Sequence, residues 1–191
     1  MWGNKMLSAE LILAEMVAVG FGMAPDAFTS RMLNGPHLLA PTGSNYNKYG
    51  KIGQILAGFH YDLNFMTIHG KSRFPGLSIW TREGKKCGVR IEDGCLLVQA
   101  GKQFEILTGG HVLAGFHEVV INQQTAEVIS RRKAEGKSLW RVSSTLFGHI
   151  QSDQVLQPLA PFDTPDATKA FPPVEAGEQV KRELESIKLF R

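Results

Sequence analysis

Hydrophobic residues near the start of the chain recur at helical spacing. They predict a helix that begins at Ala9 with Ser8 as its cap, followed by a shorter helix that opens at Pro25. Gly35 and Pro36 end this second helix, because glycine accepts a left-handed backbone and proline cannot continue the helical hydrogen bonds. The beginning of the chain is therefore predicted to be helical.

From His37 to Phe147 the pattern changes to short apolar runs separated by turn residues. Many short strands at this spacing predict a β-sandwich or barrel rather than alternating βαβ units. One insertion, at 124–137, is rich in Ala, Glu, Arg and Lys and predicts a helix before the last strand. The predicted strands are Leu38–Ala40, Ile52–Tyr61, Phe65–His69, Leu77–Trp80, Cys87–Ile91, Leu96–Ala100, Phe104–Leu107, Phe116–Ile121 and Leu139–Phe147.

The last part of the chain is predicted to form a C-terminal extension outside the β-rich core. Residues 158–173 are rich in Pro and Asp, which is typical of a surface segment. Residues 175–190 predict a terminal helix, with Val180, Leu184 and Ile187 on one face. We therefore expect N-terminal helices at 1–36, a core at 37–160 and a C-terminal extension at 161–191.

The composition is typical of a protein with a hydrophobic core. Hydrophobic residues make up 43% of the 191 positions and charged residues 20%, with a formal net charge of +3. The basic residues are scattered, which argues against nucleic-acid binding, and the apolar run 11–23 is too short to span a membrane. Cys87 and Cys95 form no metal-binding motif and no signal-peptide pattern is found, so we expect a cytoplasmic protein.

His60 and Asp62 distinguish this sequence from a generic β protein. In an extended strand the side chains at i and i+2 share a face, so this imidazole and this carboxylate can converge. His117, from a distant strand, would complete a set of two histidines and one carboxylate, which suits Fe(II) and leaves coordination positions open. His111 is the alternative third ligand, although it follows a Gly-Gly turn. The His-x-Asp pattern alone also fits an ordinary surface strand.

Arg141 and Ser143 form a second i, i+2 pair, in the last predicted strand. Burying a guanidinium and a hydroxyl inside a barrel costs free energy unless an anion pairs with them. A carboxylate is the natural bidentate partner of an arginine. The pair therefore indicates an anion site, and the alternative is that one of the chain's own acids pairs with Arg141.

The order His60-x-Asp62, His117, Arg141-x-Ser143 resembles the isopenicillin N synthase-like branch of the Fe(II)/2-oxoglutarate-dependent dioxygenases. The resemblance covers roughly residues 35–160. It includes three further stretches, which are similar to the family's metal-binding strand, its Gly-Leu segment and its run toward the second histidine. These stretches are Leu56–Thr67, Phe74–Ile79 and Asp93–Gly110.

The resemblance implies a mainly β fold, a double-stranded β-helix (jelly roll) with N-terminal and C-terminal helices. It implies that His60, Asp62 and His117 hold Fe(II) and that Arg141 and Ser143 bind the distal carboxylate of 2-oxoglutarate. The implied reaction oxidises a small organic substrate with O2 and releases succinate and CO2. Two alternatives stay open: an iron-dependent oxidase of the same fold that does not use 2-oxoglutarate, and a non-catalytic jelly-roll binding domain.

The sequence departs from the family pattern in three ways. Where the family has a cosubstrate-contacting tyrosine, this chain has Leu39-Ala40-Pro41, and Tyr49 is only a weak substitute. The helix predicted at 124–137 lengthens the stretch between His117 and Arg141. The helical region ahead of the core is shorter than in the family. We therefore expect an exposed apolar face there, covered by a partner or by self-association.

The other candidates for the site are given more ordinary roles. His69 is interpreted as a hydrogen-bonded residue at a strand end rather than a pocket residue. The candidates for the pocket wall are Phe59, Phe65, Gln99 and Phe147.

Overall fold

Ten strands and seven helices are present in residues 1–186, the part of the chain that the computed structural model describes. The strands are β1 (Leu38–Asn45), β2 (Ile55–His60), β3 (Met66–His69), β4 (Leu77–Trp80), β5 (Lys86–Gly88), β6 (Leu97–Ala100), β7 (His117–Val120), β8 (Trp140–Gly148), β9 (Val155–Leu156) and β10 (Val174–Glu175). The helices are α1 (Trp2–Gly20), α2 (Thr29–Met32), α3 (Tyr46–Tyr49), α4 (Lys102–Leu107), α5 (Gln123–Ala134), α6 (Pro165–Ala170) and α7 (Ala176–Ser186).

Eight of the strands form two four-stranded antiparallel sheets, in the orders β1-β8-β3-β6 and β2-β7-β4-β5. The chain crosses from one sheet to the other at every connection between these strands except β4 to β5. This crossing pattern is that of a jelly roll, so the predicted double-stranded β-helix with helices at both ends is confirmed. The strands β9 and β10 pair separately, beside α7.

The alternation of side chains along β3 and β8 separates the outside of the first sheet from its inside. Ile68 and Leu146 point outward, where they form a buried cluster with Met6 of α1. Because successive side chains in a strand point to opposite faces, Thr67 and Thr145 point inward between the two sheets. The helix α1 thus covers the outer face of the sheet whose inner face carries polar residues.

A larger hydrophobic cluster joins the helices to the end of the barrel. Ala14 and Ala18 of α1 are fully buried there, against the aromatic residues Phe28, Phe65 and Phe104. The ring centroids of Phe28 and Phe65 lie 5.3 Å apart, and those of Phe65 and Phe104 lie 4.9 Å apart. Phe65, predicted as a pocket residue, is therefore a core residue.

The strand predicted at Phe104–Leu107 is wrong, because this segment belongs to the helix α4. Gly101 has an extended backbone at the N-cap, and Lys102 pairs with Glu105 one turn later. Phe104 and Leu107, three positions apart, face the same cluster. A short apolar run fits a buried helix as well as a strand, and here the burial of Phe104 and Leu107 in one cluster favours the helix.

Both predicted N-terminal helices have different bounds from those expected. The first begins at Trp2 rather than Ala9, and Ser8 donates a hydrogen bond to the carbonyl of Asn4 inside the helix instead of capping it. The second is the four-residue helix α2, which starts at Thr29. The helix predicted at 124–137 is confirmed as α5, with Asn122 and Thr125 forming its capping box.

The C-terminal part differs from the prediction in one detail. The segment 158–173 contains the short helix α6, whose cap Thr164 accepts a hydrogen bond from the backbone of Ala167. The terminal helix is described as far as Ser186, so the predicted position of Ile187 lies outside the described residues. Within residues 1–186, the helices are all too short or too polar to cross a membrane.

Candidate metal centre and anion site

The structure brings His60, Asp62 and His117 together at one end of the barrel. One donor atom from each lies within 4.8 Å of the others. The Oδ1 atom of Asp62 is 3.7 Å from Nε2 of His60 and 3.8 Å from Nε2 of His117. Asp62 and His117 are buried, whereas His60 is exposed, so the cluster sits at the mouth of the barrel.

The two histidines are placed by strand pairing and the aspartate by the turn that follows. His60 is the last residue of β2 and pairs with His117, the first residue of β7. Asp62 lies two residues beyond the end of β2. Of the predicted His-x-Asp pair, only His60 therefore belongs to a strand. The carbonyl of Asp62 accepts a hydrogen bond from Lys102 at the start of α4, which anchors the turn.

The Nδ1 atom of His117 is held by two neighbours, which leaves Nε2 for a metal. It lies 2.9 Å from the carbonyl oxygen of Gly115, an acceptor that fixes the proton on Nδ1. The side-chain amide of Gln99 lies 2.8 Å from the same nitrogen. The atom at this distance is Nε2 of Gln99, and rotating the amide by 180° would place Oε1, which has no partner among the described residues, there as a second acceptor. Burial lowers the pKa of His117 and favours this neutral form.

Arg141 and Ser143 lie on the inward face of β8, as predicted. None of the ion pairs among the described residues involves Arg141, and its buried Nε atom has no hydrogen-bond partner. The expected alternative, pairing with one of the chain's own acids, is therefore not seen within residues 1–186. Burial lowers the pKa of Arg141, which expresses the free-energy cost of holding this charge without a counter-ion.

Arg141 and Ser143 open into a cavity of about 840 Å³, which we call the basic cavity. Its described lining contains four arginines and one lysine and no acidic residue. These cations are Lys71, Arg73, Arg90, Arg131 and Arg141. Such a lining favours an anionic ligand, with the inner end of the cavity at Arg141.

His69 connects the basic cavity to the three clustered residues. It lines the cavity, and its ring centroid is 6.4 Å from that of His117. Its Nδ1 atom is hydrogen-bonded at 3.1 Å to Oγ1 of Thr145, as expected for a strand-end residue. Burial lowers the pKa of His69 to about 4, so its ring is neutral at neutral pH. The predicted hydrogen-bonded role is right, and the residue also faces the site.

Two other candidates from the sequence lie elsewhere. His111 is not part of the cluster, and its ring packs instead against the rings of Phe21 and Phe162. Tyr49 is exposed to solvent. The tyrosine that the structure turns inward is Tyr46, which the sequence analysis missed. Its hydroxyl is buried without a partner, and burial raises its pKa although the charge of Arg141 acts to lower it.

A second cavity, of about 990 Å³, lies over His60 and Asp62. We call it the metal-side cavity. Phe59 and Phe147, predicted as pocket residues, line it. His149 also lines it and was missed, although it continues the inward series of β8 two positions after Phe147. Residues of α7 form the opposite wall, where the Tyr61 hydroxyl donates a hydrogen bond to Glu183.

The sequence profile of the 2OG-Fe(II) oxygenase superfamily matches residues 42–150, which include all five residues predicted for the site. A search of the curated proteins finds no match. Among solved structures, a full-length Neurospora crassa protein in complex with alpha-KG superimposes with a TM-score of 0.78 at 15% identity, over 96% of this chain and 55% of that one.

Two further solved structures are similar to this chain. A 2OG-Fe(II) oxygenase family protein from Caulobacter crescentus gives a TM-score of 0.80 at 23% identity, over 97% of this chain and 57% of that one. The dioxygenase for auxin oxidation 1 from Arabidopsis thaliana, in its 2-oxoglutarate complex, gives 0.68 at 18% identity, over 85% and 55% of the two chains. The chain thus spans little more than half the length of these proteins.

Proposed function

Because the chain belongs to the 2OG-Fe(II) oxygenase superfamily, we propose that it is an Fe(II)- and 2-oxoglutarate-dependent dioxygenase of a small organic substrate. The observation that carries this proposal is the unpaired guanidinium of Arg141, which faces the interior of the barrel that also holds His60, Asp62 and His117. An anionic cosubstrate would explain a half-buried cation whose buried Nε atom has no partner within residues 1–186.

The donor set fits Fe(II). Two neutral imidazoles and one carboxylate are the ligands that non-haem Fe(II) oxygenases use, and they leave positions open for other ligands. His60, Asp62 and His117 are the proposed iron ligands, and the spread of 4.8 Å among their donor atoms is compatible with a single ion. Gly115 supports this assignment, because its carbonyl holds the proton of His117 on the nitrogen that faces away from Asp62.

Arg141 and Ser143 are the proposed ligands of the distal carboxylate of 2-oxoglutarate. The guanidinium offers a planar fork of donors and the hydroxyl adds a third, on the same inward face of β8. Thr145, two positions further along the strand, holds His69 in place beside them. The arginines at the outer part of the basic cavity would attract the dicarboxylate before it reaches Arg141.

Bound iron and 2-oxoglutarate would supply the oxidising chemistry, with release of succinate and CO2. The chain's own contribution is to orient and to exclude water. The pairing of β2 with β7 fixes the two histidines, and α4 fixes the turn that carries Asp62. The helix α7, held to Tyr61 through Glu183, forms part of the wall of the metal-side cavity.

The direct test is turnover of 2-oxoglutarate. Purified protein supplied with Fe(II), ascorbate and O2 is expected to form succinate from 2-oxoglutarate, and Asp62→Ala is expected not to. Succinate formation that is independent of Asp62 would contradict the proposal. Iron-dependent O2 uptake without succinate would favour the oxidase alternative, and the absence of metal binding would favour a non-catalytic domain.

Association through the N-terminal helices and a cytoplasmic location both stay predictions. The first is supported by Ile12, Met16 and Val19, which form an exposed stripe at helical spacing on α1. Sedimentation of the wild type and of Met16→Glu tests self-association, since a charge at the stripe would dissociate a self-associated form.

The predicted cytoplasmic location is supported by Cys87 and Cys95, neither of which forms a disulfide.

A further inference from the structure

The metal-side cavity differs in charge from the basic cavity. Among its described lining residues there is no lysine or arginine. Apart from its histidines, the only ionisable acids or bases in the part of the lining within residues 1–186 are the carboxyl groups of Asp62 and Glu183 and the phenol of Tyr61. Within residues 1–186, the cations of the site therefore lie on the proposed cosubstrate side, and none lies on the side where a substrate would approach the metal.

Most of the remaining wall of the metal-side cavity is apolar, although His37, Asn64, Ser152 and Ser186 also line it. Phe59 and Phe116 line it with stacked rings, whose centroids are 4.7 Å apart and whose planes differ by 11°. Both residues are exposed, at 54% and 37%. Phe147 and Leu184 add apolar surface from β8 and α7. A flat molecule with an apolar body gains free energy when it is buried against such rings.

His149 supplies a polar group to this apolar wall. The residue is only 8% exposed, it lines the cavity, and its Nδ1 atom is buried without a hydrogen-bond partner among the described residues. Burial lowers its pKa to about 4, with His37 nearby acting in the same direction, so the ring is neutral at neutral pH. A neutral imidazole offers one donor and one acceptor.

We propose that the substrate is an uncharged molecule with a flat apolar body and one hydrogen-bonding group, that His149 contacts this group, and that carboxylate-bearing molecules are excluded. The inference rests on the proposed function, because it names the substrate class of the same site. The charge of a bound metal would be offset by Asp62 and by 2-oxoglutarate. A carboxylate in the metal-side cavity would therefore lose its hydration without gaining a lysine or arginine partner among the described residues, and it would lie beside Glu183.

Matched pairs of small probes test the charge selectivity. Benzamide and benzoate, and cinnamamide and cinnamate, share a shape and differ in charge. Binding is measured by ligand-observed NMR titration on protein loaded with Zn(II) and 2-oxoglutarate, in which no turnover occurs. Each amide is expected to bind at least about tenfold more tightly than its carboxylate. Equal or tighter binding of the carboxylates, or no binding of either amide at millimolar concentration, would overturn the proposal.

The variant His149→Phe tests the polar contact, because it keeps a ring of similar size and removes both nitrogens. Benzamide affinity is expected to fall at least about fivefold, whereas toluene, which has no hydrogen-bonding group, is expected to bind as before. The matched control is His111→Phe, which changes a histidine outside the cavity and should affect neither probe. An equal loss for benzamide and toluene would mean that His149 only shapes the cavity.

The proposed function is monitored on the same preparations. Under anaerobic conditions the Fe(II)-loaded protein is mixed with 2-oxoglutarate and its visible absorption is recorded. A wild type without an Fe(II)–2-oxoglutarate band would overturn the proposed function and this inference together. A wild type that shows the band but prefers the carboxylate probes would overturn the substrate class alone.

Discussion

His60 and His117 lie directly opposite each other across the β2–β7 ladder, with ring centroids 4.3 Å apart. The Nε2 atoms of both lie close to the same carboxylate oxygen of Asp62, at 3.7 and 3.8 Å. Backbone pairing therefore sets the relative position of the two histidines. The position of Asp62 depends instead on the turn between β2 and β3, which α4 anchors.

Replacing His117 should remove metal binding, whereas replacing His111 should not. His117→Ala is expected to weaken Fe(II) binding by more than about 100-fold, since even the loss of an outer partner of a ligand costs about 10–100-fold. His111→Ala keeps the three clustered donors and should bind as the wild type does. Anaerobic titration with Fe(II) measures both constants. A loss of binding in His111→Ala alone would identify the rival histidine as the ligand.

Gln99 should act through His117 rather than on the metal itself. Gln99→Leu removes the side-chain amide 2.8 Å from Nδ1 of His117 and is expected to lower Fe(II) affinity by about tenfold. Gln99→Glu keeps an acceptor at this position and should bind Fe(II) at least as well as Gln99→Leu does at every pH tested. If both variants lost affinity equally, the contribution of Gln99 would be packing and not orientation of the ligand.

Arg141 should matter for the cosubstrate and not for iron. Arg141→Ala is expected to leave Fe(II) affinity unchanged and to weaken 2-oxoglutarate by at least about 30-fold, the effect of removing one partner from a buried charge pair. The matched control is Arg131→Ala, because Arg131 lines the same cavity but is exposed. Its 2-oxoglutarate affinity is expected to fall by about fivefold or less. Calorimetric titration of the Zn(II)-loaded protein with 2-oxoglutarate measures the affinity of each variant. Unchanged affinity in Arg141→Ala would contradict its assigned role.

The buried carboxyl of Glu10 should make the fold less stable as the pH rises. Burial raises the pKa of Glu10 to about 8 from its ordinary value of 4.5, so between these values the folded state holds a proton that the unfolded state has released. Stability must then fall with pH across this window, by at most about 1.4 kcal/mol per unit. Buried His69 and His149 have a lowered pKa, so they affect stability only below about pH 6.5.

The variant Glu10→Gln isolates this effect, because it keeps the shape of the side chain and cannot lose a proton. Urea unfolding at pH 6.5 and pH 8, with chelator present in every sample, gives the free energy of unfolding of each protein. The wild type is expected to lose stability between the two pH values and the variant to lose much less. Parallel losses in both proteins would mean that Glu10 is ionised, or hydrated, in the folded state.

The fold class and the placement of Arg141 and Ser143 on one inward face could be predicted because both depend on local alternation. Arg-x-Ser puts two side chains on one face of β8, whereas Asp62 of His-x-Asp lies beyond the end of β2. The many short strands exclude βαβ units. The same alternation leads from Arg141 through Phe147 to His149, which lies one residue beyond the observed end of β8 at Gly148. The signal for this residue was present in the sequence.

Other features could not be predicted from local pattern. The short run Phe104–Leu107 is compatible with a strand or a helix, and only its burial against Phe28 and Phe65 makes the helix favourable. Tyr46 was overlooked in favour of Tyr49, because which tyrosine of the short helix α3 turns inward depends on its contact with Phe74, at 4.6 Å between ring centroids. Such contacts between distant segments have no signature in the spacing of residues.

The most direct test of the central claim is the anaerobic visible spectrum of the Fe(II)-loaded protein on addition of 2-oxoglutarate. A weak charge-transfer band is expected for the wild type, because 2-oxoglutarate would chelate an iron held by His60, Asp62 and His117. The band should be absent in Asp62→Ala and should need more 2-oxoglutarate in Arg141→Ala. A wild type that binds Fe(II) but develops no band at saturating 2-oxoglutarate would contradict the account.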